Sequence, residues 1–209
     1  MNAGELLALD PVIPIATIER IEDAVPLARA VHKGGLHTLE VTLRTPVAVE
    51  AIERIAAEVP QLTVGAGTVL GGAQIEAAER AGARFLVTPG ATERILDRLE
   101  ASRLPFLCGC ATASDVIALL ERGIRQMKLF PAEALGGVAM VKALAGPFPQ
   151  VCFCPTGGIG PDAAPEYLAL PSVGAVGGSW ITLRPDGASD WEPVVTAARA
   201  AARLRWTRR

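Results

Sequence analysis

Short apolar runs alternate along the chain with longer segments in which apolar residues recur every three or four positions. The short runs cover residues 12–16, 38–43, 62–66, 85–88, 106–110, 126–130, 151–155 and 173–177. Their length and the turn residues around them predict strands. The longer segments cover 22–32, 46–58, 73–81, 92–100, 113–122, 138–145, 161–170 and 191–206, and they predict helices. Each strand is followed by a helix, which calls for parallel strands joined by helical crossovers. Lys33-Gly34-Gly35, Ala81-Gly82 and Arg122-Gly123 close helical runs, as glycine commonly does in the left-handed conformation. Ser114-Asp115 and Pro161-Asp162 read as helix starts. Eight such units predict an α/β fold, a closed (β/α)8 TIM barrel forming one domain over 1–209. An open dinucleotide-binding sheet fits less well: Gly65-Ala66-Gly67-Thr68-Val69-Leu70 has Leu70 where the third glycine of that fingerprint stands. Residues 4–9, ahead of the first strand, are placed as a cap on the barrel bottom.

Composition narrows the function classes. The 209 residues are 50% hydrophobic and 20% charged, which excludes a disordered chain. A net charge of −2 argues against a nucleic-acid partner. Arg199, Arg203, Arg205, Arg208 and Arg209 crowd the tail, and cations near a helix C-terminus suit its dipole. No apolar run approaches the ~20 residues of a membrane span, and residues 1–10 lack a basic start. A cytoplasmic protein with no membrane partner is therefore expected. Histidine occurs only as His32 and His37, at a helix end where the two cannot share a helical metal face. Both are read as ordinary residues. Cys108 and Cys110, like Cys152 and Cys154, have one residue between them. That is shorter than zinc-site spacing and puts each pair on one face of a strand, so they read as core thiols. Neither a metal nor a cofactor is expected.

In a barrel, chemistry collects at the C-terminal ends of the strands. Thr17, Glu40, Arg44, Thr68, Thr88-Pro89-Gly90, Lys128, Thr156-Gly157-Gly158 and Gly177-Gly178-Ser179 fall there. In the second strand Leu39, Val41 and Leu43 make an apolar face, so Thr38, Glu40, Thr42 and Arg44 point inward. Charges inside a barrel are costly unless paired or placed at a site. Glu40 and Arg44 are either a structural ion pair or working groups. Lysine occurs three times, and Lys33 and Lys142 suit helix surfaces. Lys128 instead sits in an apolar strand, where burial and a nearby cation favour the neutral amine that a Schiff-base nucleophile needs. The glycine-rich ends of strands seven and eight, where such barrels often hold phosphate, let backbone N–H groups approach an anion.

Five motifs then fall in order: Glu40-Val41-Thr42-Leu43-Arg44-Thr45, Gly65-Ala66-Gly67-Thr68-Val69, Lys128-Leu129-Phe130-Pro131-Ala132-Glu133, Phe153-Cys154-Pro155-Thr156-Gly157-Gly158-Ile159 and Gly177-Gly178-Ser179-Trp180. Together they resemble the 2-keto-3-deoxy-6-phosphogluconate (KDPG) and 4-hydroxy-2-oxoglutarate aldolases over nearly the whole chain. The resemblance implies a class I aldolase, usually homotrimeric, acting on a phosphorylated 2-keto acid without cofactor. It implies Lys128 as the Schiff-base lysine and Glu40 as general acid/base. By the same resemblance Arg44 and Thr68 hold the pyruvyl carboxylate, Pro89 and Thr156 line the keto-acid pocket, and Gly157, Gly158, Gly178 and Ser179 form the phosphate end. Leu129 replaces an aromatic found in some relatives. Rival readings are an aldolase preferring unphosphorylated or epimeric keto acids, a phosphate-binding isomerase or synthase with Glu40 and Lys128 as an acid/base pair, and a silent sugar-phosphate binder.

Overall fold

The computed structural model describes residues 1–184 and 190–204. Among these, eight parallel strands alternate with helices in a nearly closed (β/α)8 barrel. The strands are β1 (Val12–Ala16), β2 (Thr38–Thr42), β3 (Thr63–Gly67), β4 (Leu86–Val87), β5 (Phe106–Cys110), β6 (Gln126–Leu129), β7 (Cys152–Pro155) and β8 (Val176–Gly178). They pair in the order β7-β6-β5-β4-β3-β2-β1-β8, and the bridges Phe153↔Val173 and Thr156↔Gly177 join the ends of that sheet. The helices are α1 (Ala3–Leu7), α2 (Ile21–Lys33), α3 (Ala48–Glu58), α4 (Gly72–Arg80), α5 (Glu93–Ser102), α6 (Ala113–Glu121), α7 (Gly137–Ala145), α8 (Ala164–Leu168) and α9 (Glu192–Ala202).

Strand parity sorts the side chains into two cores. Leu39, Val41, Met127, Leu129, Cys108, Cys110 and Phe153 face outward and pack under the helices with Val31, Ile52 and Ile55. Ile13, Phe85, Val87, Leu107 and Cys154 fill the barrel's lower interior. Gly65 of β3 makes room for the Phe85 ring, since a Cβ there would lie 2.5 Å from it. Helix α1 closes the bottom, as expected for residues 4–9: Leu6 and Leu7 join that inner cluster. Its start is fixed by a capping box in which Asn2 Oδ1 accepts from Glu5 N at 2.9 Å and Glu5 Oε2 accepts from Asn2 N at 2.8 Å. Such a cap contributes about 1 kcal/mol.

The differences from the sequence reading lie at element ends. The last strand begins at Val176 rather than at 173, because Val173 spends its pairing on the bridge to Phe153. Helix α6 is capped by Thr112, whose hydroxyl accepts from Asp115 N at 3.2 Å, so the helix starts at Ala113, one residue before Ser114. Helix α8 starts at Ala164, after a turn at Pro161-Asp162. Gly35, Gly82 and Gly123 do adopt positive φ (97°, 84° and 75°) after their helices. Gly34 serves packing instead, since a Cβ there would lie 2.3 Å from Ala198 Cβ of α9. The expected helix over 191–206 is observed as Glu192–Ala202; Arg205, Trp206, Arg208 and Arg209 lie outside the described residues. Cys108, Cys110 and Cys154 are buried free thiols. His37 faces His32 edge-on at 6.0 Å, and its Nδ1 lies 3.1 Å from the buried Asp10 carboxylate. Among the described residues no helix is long and apolar enough to cross a membrane.

Candidate active site

The C-terminal ends of the strands open into a cavity of about 320 Å³. Lys128 rises into it from β6, turned inward because its neighbours Met127 and Leu129 face the helices. Glu40 enters from β2 by the same alternation. The two side chains are almost completely enclosed, at 8% and 4% exposure, and Nζ lies 3.5 Å from Oε1. Two opposite charges this deep are tolerated because each supplies the other's partner; removing one would strand its mate, typically at a cost of ~3–5 kcal/mol. Of the two readings left open for Glu40 and Arg44, a structural ion pair between them does not form: Glu40 pairs with Lys128. Room for the carboxylate is made by Gly67 of β3, where a Cβ would stand 1.8 Å from Glu40 Oε1. Beside the lysine, in register with it on β7, Cys154 presents a neutral thiol. Burial pushes that thiol up to about 12, against the opposing pull of Lys128 and of a hydrogen bond with Thr156. The Phe130 ring flanks the amine, its centroid 5.3 Å from Nζ.

Arg44 sits exposed at the mouth, where its Nε donates to Thr68 Oγ1 at 3.0 Å. Thr68 holds φ at 59°, a left-handed conformation that is unusual for a β-branched residue. Strain of this kind is retained where the surroundings enforce it, commonly at sites of function. Deeper on the same wall, the hydroxyls of Thr17 and Thr42 meet at 2.9 Å.

The opposite wall is the glycine turn after β7. Gly157 and Gly158 have φ of 104° and 81°, which a side chain would resist. Among the described residues the N–H groups of Gly158 and Ile159 donate to no protein acceptor, so they are available to an anion, whereas Gly157 is engaged by the Thr156↔Gly177 bridge. Thr156 closes on Gly177, where a Cβ would lie 2.3 Å from its Oγ1. Thr182 ties the segment after β8 to β1, its hydroxyl reaching Ile15 O at 2.7 Å and Ser179 O at 3.0 Å.

Of the residues singled out from sequence, Lys128, Glu40, Arg44, Thr156, Gly157, Gly158 and Ser179 line this one cavity. Thr68 joins it through Arg44. Pro89 and Gly178 stand outside the lining: Pro89 covers Gly109 of β5, where a Cβ would strike its carbonyl oxygen at 2.1 Å, and Gly178 accommodates the Trp180 ring. Phe130, Ile159, Thr182 and Leu183 line the cavity without having been flagged. Phe130 and Ile159 lie inside the quoted motifs and could have been found from them; Thr182 and Leu183 carry no local signal. A larger recess of about 600 Å³ lies between α4 and α5. Its only ionisable lining groups are Arg94 and Arg98, and Arg98 is paired with Glu76, so the recess offers no acid/base pair.

A family model described as KDPG and KHG aldolase matches residues 4–196. The chain belongs to that family. It is 45% identical over 202 residues to the KHG/KDPG aldolase of Escherichia coli (strain K12), with 96% of this chain and 94% of that protein covered. The 2-dehydro-3-deoxy-phosphogluconate aldolase of Zymomonas mobilis is 46% identical over 200 residues, covering 96% and 95%. The crystal structure of the KDPG aldolase from Zymomonas mobilis ATCC 29191 superposes with a TM-score of 0.95 at 44% identity over the full length of both chains. A KDPG aldolase from Legionella pneumophila, solved with pyruvate captured as a covalent carbinolamine, gives 0.92 at 44% identity, covering 97% and 98%. The motifs that suggested this aldolase family are therefore a true sign of membership.

Proposed function

We propose that this family member is a class I aldolase that cleaves KDPG to pyruvate and glyceraldehyde 3-phosphate through an imine on Lys128. The observation that carries the reading is a single buried amine 3.5 Å from a single buried carboxylate in a strand-end cavity. An ammonium on Lys128 can pass its proton to Glu40, which frees the amine to attack the substrate C2 carbonyl. Glu40 then protonates the departing C2 oxygen, which leaves as water and gives the iminium. The same carboxylate next takes the proton of the C4 hydroxyl. The C3–C4 bond breaks, its electron pair forms the C2–C3 enamine, and C4 leaves as the aldehyde. Glu40 returns the proton to C3, and water adds at C2 to release pyruvate and restore Lys128. General acid–base help of this kind contributes roughly 10²–10⁴-fold.

Arg44, held by Thr68, is the clamp for the keto-acid carboxylate, since a guanidinium binds a carboxylate through two parallel hydrogen bonds. Thr156 borders the keto-acid end. The turn at Gly157 and Gly158, with its free Gly158 and Ile159 N–H groups and with Ser179, suits the terminal phosphate. The relative named for both KHG and KDPG supports 4-hydroxy-2-oxoglutarate as a second substrate that shares the keto-acid end and lacks the phosphate. Homotrimeric assembly and a cytoplasmic address are part of the same proposal, and family membership supports the first.

The test is to incubate the protein with pyruvate, reduce with borohydride and map the adduct by mass spectrometry. The expected adduct is on Lys128; an unmodified Lys128 overturns the mechanism. Comparing kcat/KM for KDPG and 4-hydroxy-2-oxoglutarate ranks the two substrates.

A further inference from the structure

The loop after β6 and the glycine turn after β7 are fastened together outside the cavity. Ala132 N donates to Thr156 O at 2.8 Å, and Glu133 N donates to Gly157 O at 3.1 Å. The Glu133 side chain begins against Gly158, where a Cβ would come within 2.8 Å of Glu133 Cβ. It then turns away from the turn, so that its carboxylate oxygens lie 3.6 and 3.7 Å from where a Cβ on Gly137 of α7 would sit. There it accepts a hydrogen bond from the hydroxyl of Tyr167 on α8. The Tyr167 ring is completely buried, so the donor that holds this carboxylate is rigid. Burial and the adjacent carboxylate both raise the phenol's pKa, so it remains a donor at neutral pH. The mechanism above uses neither residue.

This arrangement poses an electrostatic problem. Glu133 is exposed and grows from the edge of a turn whose free N–H groups suit a phosphate. A carboxylate free to swing over that turn would repel the anion, and like charges brought together at a binding site are costly. We infer that Tyr167 is a positioning residue for phosphate selectivity: its hydroxyl pins the Glu133 carboxylate away from the Gly157-Gly158 turn and so keeps the turn open to a phosphate monoester. The inference rests on the proposed phosphate end of the site.

The experiment measures glycerol 3-phosphate binding by calorimetry, with no turnover needed, beside kcat/KM for KDPG and 4-hydroxy-2-oxoglutarate. Tyr167→Phe keeps the ring and removes the donor. It is expected to weaken glycerol 3-phosphate binding about tenfold and to raise KM for KDPG by a similar factor. Cleavage of 4-hydroxy-2-oxoglutarate and pyruvate trapping on Lys128 should stay within about twofold. Adding Glu133→Gln to Tyr167→Phe removes the charge and should restore the phosphate affinity, a rescue that a merely structural role would not give. Three results overturn the inference: no effect of Tyr167→Phe on glycerol 3-phosphate, equal losses on both substrates, or no rescue by the neutral residue. Absence of glycerol 3-phosphate binding in the parent protein overturns it as well. Tyrosine-dependent phosphate binding in a protein that fails to cleave KDPG would instead overturn the proposed substrate and leave the inference standing.

Discussion

Gly67→Ala tests the geometry of the acid/base pair without altering either of its members. The new methyl group would stand 1.8 Å from Glu40 Oε1, 2.4 Å from Cδ and 2.5 Å from Cγ. Ordinary contact begins at 3.4 Å, so the carboxylate must retreat by about 1.6 Å. Strand β2 cannot yield that distance, because Thr38 through Thr42 are held in register along the whole of β3. The displacement therefore falls on the Glu40 side-chain torsions and carries Oε1 away from its place 3.5 Å from Lys128 Nζ. Misplacing a reacting group by about 1 Å can cost ~100-fold in rate, equivalent to ~2.7 kcal/mol of barrier. Overpacking itself costs typically ~1–3 kcal/mol of stability, and each kcal/mol lowers Tm by ~2–4 °C in a protein of this size. The assay follows pyruvate release from KDPG, with thermal unfolding measured on the same sample. The expected result is a folded variant with kcat reduced about 100-fold. A Gly67→Ala protein that unfolds cooperatively and keeps kcat within about threefold would show that the position of Glu40 does not govern the reaction.

Two further outcomes follow from local geometry. Thr68→Gly releases a β-branched residue from a φ of 59° and removes the hydroxyl that accepts from Arg44. Its Tm should not fall, while half-saturation by pyruvate in borohydride trapping should rise about tenfold, the scale of one charged hydrogen bond; a drop in Tm would mean the left-handed threonine is not strained. The thiols of Cys108, Cys110 and Cys154 are each pushed up to about 12 from 9.0, by burial first in every case. The folded state thus holds protons that the unfolded state gives up near 9. Their contribution to stability is full below pH 9 and is lost as pH rises toward 12. Tm should fall between pH 8.5 and 10.5 more steeply in the parent than in Cys108→Ala/Cys110→Ala, and equal slopes would sink the assignment.

The alternation of eight short apolar runs with eight amphipathic segments was enough to define the barrel, because each strand and helix is encoded by its own periodicity. The same local rule turned Glu40 and Lys128 inward: apolar neighbours at every second position leave a polar side chain only the interior. The double-glycine turn after β7 was readable too, since glycine alone takes positive φ without strain. Strand periodicity cannot say which inward groups meet. That depends on how strands are staggered and tilted around the barrel, a property of all eight together. Closure brought Glu40 to Lys128 instead of to Arg44, placed Gly67 and Gly177 where side chains of neighbouring strands need room, and set Pro89 over Gly109 outside the cavity. It also brought Thr182 and Leu183 to the rim from a segment with no strand or helix pattern of its own. The sequence by itself determined which residues face inward and where the chain turns. Only the tertiary structure decided which of them touch, because contacts between strands far apart in the chain arise when the sheet closes on itself.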